Sequence, residues 1–459
     1  NQALKKYQYL EKADRAFITR AAEGTLDYLI QIDDVINRYS KTSTQKMKPV
    51  IRNLLRLSVY QILYMDRVPD SAAINEAVKL AKKRKFGSLS GFVNGVLRAI
   101  SREKDGIQFP SQEIRFSIPE WILARWRREY GEETAERIAS SFLCSRPLSV
   151  RVNHSRASEE EVFESLRRQN ISFRPGMAPD TLELADFDAL WQVEAFQKGF
   201  LTVQDSSSAL VGRIAGIQPG DFVLDVCSAP GGKALHAADL GAQVEARDLT
   251  ERKIALVEEN AARCGFSSVR TRVWDARELD PSMEGQADIV LADLPCSGLG
   301  IMGKKPEIRL RLKEEEVSTL AGLQREILAV ISRYVKPGGT LIYSTCTISR
   351  EENEENAEWI ERELPFLPKE IGPLLPADVR EDCKGNRIPL LPGVHPCDGF
   401  FLSAFTKQEW SWMKKQDIKS MELSELTDFV EALGEKPFRA RQLYRWMHAK
   451  TAASFEEMT

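Results

Sequence analysis

The sequence predicts an α/β protein. A doubly wound parallel sheet spans residues 205–406, an all-helical domain spans 1–104, and a small α/β subdomain with linker helices spans 105–204. Three observations carry this reading. Residues 205–406 alternate near-continuous Val/Ile/Leu strands with helical stretches, the pattern of a sheet covered on both faces. Residues 1–104 place apolar side chains at three-and-four spacing. The 459 residues also amount to about three domains at ~150 residues each. With 43% hydrophobic and 29% charged residues, the composition excludes collagen-like, low-complexity and disordered classes. No apolar run reaches the ~18 residues of a membrane helix. Seven cysteines without a secretory signal read as reduced thiols in a cytoplasm, not as a disulfide framework. The chain opens on Asn1, so the start of the gene product is expected to be missing, and a targeting segment with it stays open.

The helical domain comes first. In VIRNLLRLSVYQILYM (50–65), Ile51, Leu54, Leu55, Val59, Ile62 and Leu63 form one broad apolar stripe. A helix opening at Asn75 and Glu76 turns Ala77, Leu80 and Ala81 inward and bunches Lys79, Lys82, Lys83, Arg84 and Lys85 at its end. Those cations suit a helix C-terminus and equally a phosphate-binding corner. Residues 1–110 hold 20 Lys and Arg against 11 Asp and Glu, within a chain of net charge −3. A basic first third on an acidic remainder points to a polyanion; the alternative is a solvated helical surface. The run AINEAVKLAKKRKFGSLSGFVNGVLRAI (73–100) resembles the helical RNA-binding domain of the NusB family, a module that also fronts certain ribosomal RNA methyltransferases. Relative to that family, much of the first helix is expected to be absent.

Pro110 and DGIQFPSQ (105–112) mark a linker. Two helices follow over 119–143, carrying Trp121, Ile122, Trp126 and Tyr130. LSVRVNHSRAS (148–158) alternates like a strand, with Arg151 and Asn153 opposite Val150 and Val152, facing either RNA or water. The helix 158–170 has a serine N-cap and an acidic first turn.

In the body, strands are expected at 221–227, 243–249, 269–276, 287–296 and 337–348, with helices at 251–265 and 314–335. Ligands of such sheets bind beyond the strand C-terminal ends. DVCSAPGGK (225–233) is a strand, a Gly-Gly turn and a helix start. It is neither GxGxxG nor a Walker loop, because Ala234 follows Lys233. Asp248 lies 21 residues after Cys227, placed for the hydroxyls of a ribose, and Asp275 suits an adenine amino group. With Asp293, three strand ends each deliver an aspartate. An adenosyl ligand without phosphates fits best: S-adenosylmethionine.

Cys296 in DLPC (293–296) and Cys346 in STC (344–346) both follow parallel strands and project into one crevice. Cys144, Cys264, Cys383 and Cys397 read as small buried hydrophobes. With no CxxC and four His, a zinc site is not expected. Two thiols beside a methyl donor suit methylation at C5 of a pyrimidine. A thiolate adds to C6, C5 becomes nucleophilic, a base removes the C5 proton and the thiolate leaves. Asp293 is placed to hydrogen-bond cytosine N3 and its amino group. Amino-group methylation calls for a polar-Pro-Pro-aromatic loop, which Asp293-Leu294-Pro295-Cys296 is not. Lys233 orients the acid or the cytosine, or else starts a helix in solvent. His395 and Asp398 line the crevice rim, or else belong to a hairpin signalled by the Asp-Gly pair.

DVCSAPGGK (225–233), DLPCSGLG (293–300), STCTI (344–348) and DGFFLSAF (398–405) resemble the RNA cytosine-5 methyltransferase family. With the NusB-like front they resemble its bacterial 16S ribosomal RNA branch, the RsmB/Sun/Fmu family, over nearly all of residues 1–406. The resemblance implies a Rossmann-like fold and S-adenosylmethionine contacts at Cys227, Ser228, Ala229, Pro230, Gly231, Gly232, Lys233, Asp248, Asp275 and Asp293. It also implies that Cys346 is the nucleophile and that Cys296 assists product release, a division the residues alone leave open. The expected partner is 16S ribosomal RNA, with transfer RNA or a non-catalytic RNA-binding role as alternatives. Neither DNA nor membrane is expected, and the chain is taken as a monomer. Residues 411–459 resemble the opening of the radical-SAM ribosomal RNA adenine-C2 methyltransferase (RlmN) family without its CxxxCxxC ligands. The tail is read as a fusion or read-through remnant, with an RNA-binding appendage as the alternative. Its stripes are Leu426, Phe429, Val430 and Leu433, ended by Gly434, and Phe438, Leu443, Trp446 and Met447.

Overall fold

The computed structural model describes residues 10–144, 147–408, 418, 421–432 and 435–448. It comprises two compact units, 1–407 and 408–459. The first begins with five main helices, Lys12–Asp27, Leu29–Tyr39, Pro49–Tyr64, Asp70–Lys83 and Ser90–Glu103. Pro49 sits at a helix start, where its missing N–H costs nothing. Ile32, Ile36, Ile51, Leu55, Val59, Ala77, Val93, Leu97 and Ile100 close one core. Gly24 lies so close to Tyr60 that a Cβ there would fall 2.1 Å from the ring. The fourth helix starts at Asp70, not Asn75, and Leu80 faces solvent, because Ala73, Ile74, Ala77 and Ala81 already fill the buried stripe. Lys82, Lys83, Arg84 and Lys85 stand exposed at its end.

A four-stranded antiparallel sheet follows: β1 (Leu148–Val152), β2 (Ser172–Pro175), β3 (Thr181–Ala185) and β4 (Leu201–Val203), in the order β2-β3-β1-β4. Arg151 and Asn153 face neither RNA nor water. Arg151 is 1% exposed and pairs at 2.5 Å with Asp239, while Asn153 donates to the Gly199 and Cys264 carbonyls. They fasten this subdomain to the body.

The body holds β5 (Phe222–Asp225), β6 (Gln243–Asp248), β7 (Val269–Val273), β8 (Ala287–Asp293), β9 (Val335–Thr345), β10 (Phe366–Pro368), β11 (Arg387–Leu390) and β12 (Phe400–Lys407). Strands β9-β8-β5-β6-β7 run parallel. The sheet is mixed, not purely parallel, because β12 pairs antiparallel with β9 and carries β10 and β11 on its other edge. The link from β11 to β12 is the loop 391–399 rather than a two-residue Asp-Gly turn.

Helices Gln112–Phe116, Glu120–Tyr130 and Glu132–Ser141 are no loose linker. Phe116, Ile118, Ile122, Trp126, Ile138 and Phe142 share one core with Leu299, Met302, Ile348 and Leu391 of the body. The helical front is joined there too: Arg309 donates to the Asp27 carbonyl at 2.9 Å.

In the second unit, helices Leu423–Ala432 and Pro437–His448 bury Met421, Leu426, Val430, Ala440 and Met447. Phe429 and Phe438 point outward, since those five close the small core without them. Leu433 and Gly434 lie outside the described residues.

Candidate active site

The crevice lies across the C-terminal ends of β5, β6, β8 and β9, where a parallel sheet changes winding direction. On one side β5 ends at Asp225, and residues 226–231 turn into the helix Gly232–Asp239. Gly231 holds φ +108°, a conformation that side chains disfavour, and its N–H donates to the Ser228 carbonyl at 2.7 Å. Ala229 and Pro230 form the crown of the turn, and the Pro230 carbonyl accepts from Asn260 at 3.0 Å. Burial and nearby carboxylates push the Cys227 thiol up, which keeps it neutral and unreactive.

Asp225 is fully buried, and burial raises its carboxyl to about 7. The Cys227 N–H lies near the Asp225 carboxyl, but neither of its oxygens has a partner in good hydrogen-bond geometry, nor has the buried Ser228 hydroxyl. Buried polar atoms are nearly always paired, so this cluster fits a ligand that brings the donors and acceptors. S-adenosylmethionine, with its ammonium and carboxylate, is such a group.

Beside it a cavity of about 250 Å³ is lined by Cys227, Asp248, Lys253, Trp274, Asp275 and Pro295. Asp248 already accepts from the N–H groups of Ala229 (3.0 Å) and Leu249 (2.7 Å) and from Lys253 Nζ (2.9 Å). The Lys253 side chain is 51% exposed. Asp275 lies two residues beyond the end of β7, and hydrogen bonds from Arg277 hold its carboxyl below the ordinary value.

Opposite are the thiols. β8 ends at Asp293 and β9 at Thr345, so the loops after them run side by side. Cys296 Sγ stands 3.3 Å from Cys346 Sγ. The hydrogen bond between them lowers the Cys346 thiol and raises Cys296. Either sulfur can donate to the other across this contact. Lys233 Nζ donates to Asp293 Oδ2 at 2.6 Å and lies 5.1 Å from the centre of the Phe400 ring. Lys233 therefore belongs to the crevice and not to solvent. Ser344 Oγ donates to the other Asp293 oxygen at 3.0 Å, which fixes the carboxylate plane.

The motif glycines are explained by contact. The Gly300 N–H donates to the Cys346 carbonyl at 3.2 Å and the Gly399 N–H to the Gly300 carbonyl at 2.9 Å. A Cβ on Gly300 would fall 2.2 Å from the Gly399 carbonyl oxygen. Loops 293–300, 344–348 and 398–400 are thereby zipped together.

Asp398 accepts from Lys304 at 2.5 Å and, with His395, lines a trough of about 420 Å³. His395 is buried and spends its ring on the Leu391 N–H and on Asp382. Of the cysteines read as structural, Cys264 and Cys397 are buried, Cys383 is half-buried and Cys144 is exposed. The sequence reading passed over Asp225, Trp274 and Glu352. The first was visible by the same strand-end logic that selected Asp248.

Comparison with known proteins places this geometry. Residues 214–406 match the family described as 16S rRNA methyltransferase RsmB/F, residues 1–102 the NusB family, and residues 118–188 the ferredoxin-like domain of RsmF/B-like methyltransferases. The probable ribosomal RNA small subunit methyltransferase B of Bacillus subtilis is 36% identical over 416 residues, covering 88% of this chain and 93% of that one. The chain belongs to the RsmB/F family. The ribosomal RNA small subunit methyltransferase B of Klebsiella pneumoniae is 31% identical over 407 residues, covering 87% of this chain and 92% of the relative. Among solved structures, PH0851 matches with a TM-score of 0.76 at 28% identity, over 88% of this chain and 93% of that one. NSun6 from Pyrococcus horikoshii, solved with SFG, shares the fold at TM-score 0.55 and 21% identity, over 63% of this chain and 98% of that one. The family is S-adenosylmethionine-dependent and acts on ribosomal RNA, so RNA is the partner. Residues 416–459 match the N-terminal domain of the ribosomal RNA large subunit methyltransferase family RlmN. Among the described residues, no helix is long and apolar enough to cross a membrane.

Proposed function

We propose that this protein methylates carbon 5 of a cytosine in 16S ribosomal RNA through a covalent bond from Cys346 to C6. The observation that carries this is the Cys296–Cys346 pair, 3.3 Å apart, beside a Lys233–Asp293 ion pair. S-adenosylmethionine supplies an electrophilic methyl group on a sulfonium. Cys346, the thiol with the lowered pKa, adds to C6, and Asp293 with Lys233 holds the N3 and amino edge of the base while charge flows into the ring. After transfer a base removes the C5 proton and Cys346 leaves, with Cys296 in contact to assist.

Asp225 is assigned to the ammonium of the methyl donor, Asp248 to the ribose and Asp275 to the adenine edge. The turn 227–233 wraps the methionine moiety. The exposed cations at 82–85 provide phosphate contacts for the RNA. The test is incubation with labelled S-adenosylmethionine and unmodified 16S or transfer RNA transcripts, followed by mapping of the product. 5-Methylcytosine in 16S RNA supports the reading. Label on transfer RNA alone, or on an amino nitrogen, overturns it.

A further inference from the structure

Beneath the loops that carry the thiols sits a fully buried carboxyl group. Glu352 follows Cys346 by six residues and is 0% exposed. One of its oxygens accepts from the Ser297 N–H (2.8 Å) and Gln324 Nε2 (3.2 Å), and the other from Ser297 Oγ (2.5 Å). Ser297 Oγ also lies 2.7 Å from Thr347 Oγ1, and Gln324 Nε2 donates to the Pro295 carbonyl at 2.9 Å. Ser297 is the neighbour of Cys296 and Thr347 the neighbour of Cys346, so one carboxylate grips both thiol loops from below.

All these partners are neutral. Burial pushes the Glu352 carboxyl up and none of these partners is a cation to offset that, so an apolar residue would serve the core at least as well. What the carboxylate adds is direction. It takes both donors of Ser297 at once, which fixes the loop that follows Pro295 against the loop that follows Thr345.

We propose that Glu352 is a positioning residue that sets the Cys296–Cys346 juxtaposition and thereby couples attack at C6 to product release. The catalytic part of this inference rests on the cytosine-5 reading; the tether itself does not. The test therefore reads the tether directly. With diamide as oxidant, the two thiols close a disulfide as diamide is reduced, and peptide mapping follows the Cys296–Cys346 link.

Glu352→Ala should slow that closure by about tenfold and lower kcat by ~100-fold, as a misplacement near 1 Å does, with KM for S-adenosylmethionine within about twofold. Glu352→Gln, which keeps an acceptor for the Ser297 N–H, should recover most of both. Ser297→Ala, which removes only the hydroxyl bridge, should fall between. Unaltered disulfide closure in Glu352→Ala overturns the tether, whatever product the RNA map shows. Parallel loss of thermal stability and cofactor binding in both alanine variants reduces Glu352 to a core residue. A Gln variant as slow as the Ala variant also overturns the proposal.

Discussion

The two walls of the crevice satisfy their buried polar groups in opposite ways. On the thiol wall Glu352, Gln324, Tyr343, Asn353 and Asn356 are all hydrogen-bonded, mostly to one another and to the loops that carry Cys296 and Cys346. On the cofactor wall Asp225 and Ser228 end in unpaired atoms. A saturated wall holds a fixed geometry for bond making. An unsaturated one is complete only with a ligand in place. Substituting the first should therefore alter rate or stability, and substituting the second should alter affinity.

The sharpest break is expected at the thiols. Cys346→Ser should lower methyl transfer to 16S RNA at least ~1000-fold, since the nucleophile has no substitute. Incorporation at a near-normal rate would reverse the assignment of the two cysteines. Cys296→Ser should accumulate a covalent protein–RNA adduct on denaturing gels, and clean turnover would contradict its role in release.

Next is Asp225→Asn, expected to weaken binding of S-adenosylhomocysteine by roughly 10–100-fold, the worth of one charged hydrogen bond, in calorimetric titration. Its pH dependence has a definite sign. The folded carboxyl is raised to about 7 from an ordinary value near 4, so the unliganded fold binds an extra proton between those values. Unliganded stability from this group is thus greatest at low pH and is lost as pH rises from about 4 toward 7. Ligand affinity should move the other way, strengthening up to about pH 7 as the carboxylate forms. Asp225→Asn should remove both trends, and a pH-independent affinity in the unsubstituted protein would separate Asp225 from the ligand.

Asn353→Ala on the saturated wall should do the reverse. It strands the Thr345 hydroxyl and the Thr347 carbonyl, at about 1–3 kcal/mol in the denaturant midpoint, with cofactor affinity unchanged. The smallest effect is expected from the second unit. Removing residues 411–459 should leave methylation at its full rate, and lost activity would make the tail a working part of the enzyme.

Much of this was legible in the chain. Period-two and period-3.6 apolar patterns located the parallel strands and their helices, because each must bury a face whatever its neighbours are. Strand ends located Asp248, Asp293, Cys296 and Cys346, since a parallel sheet points its C-terminal loops one way. What escaped depended on distant partners. Arg151 looked surface-bound until Asp239, 88 residues on, neutralised it in the interior. Glu352 drew no reading from the sequence, because what distinguishes it is its enclosure by Ser297 and Gln324. Leu80 was drawn inward by spacing alone, yet the alanines beside it had closed the stripe.

The core shared by helices 112–141 and the thiol loops bears on how the enzyme can be dissected. A fragment beginning at residue 205 would retain Asp225, Asp248, Asp275, Asp293, Cys296 and Cys346. It would also present Leu299, Met302, Ile348 and Leu391 to water, and lose the Tyr130 hydroxyl that holds the Ile348 carbonyl at 2.7 Å. Such a piece would be sticky and catalytically slack at once. The excisable unit is set by this apolar seam, and a cut before residue 112 respects it where a cut at the start of the methyl-donor fold does not.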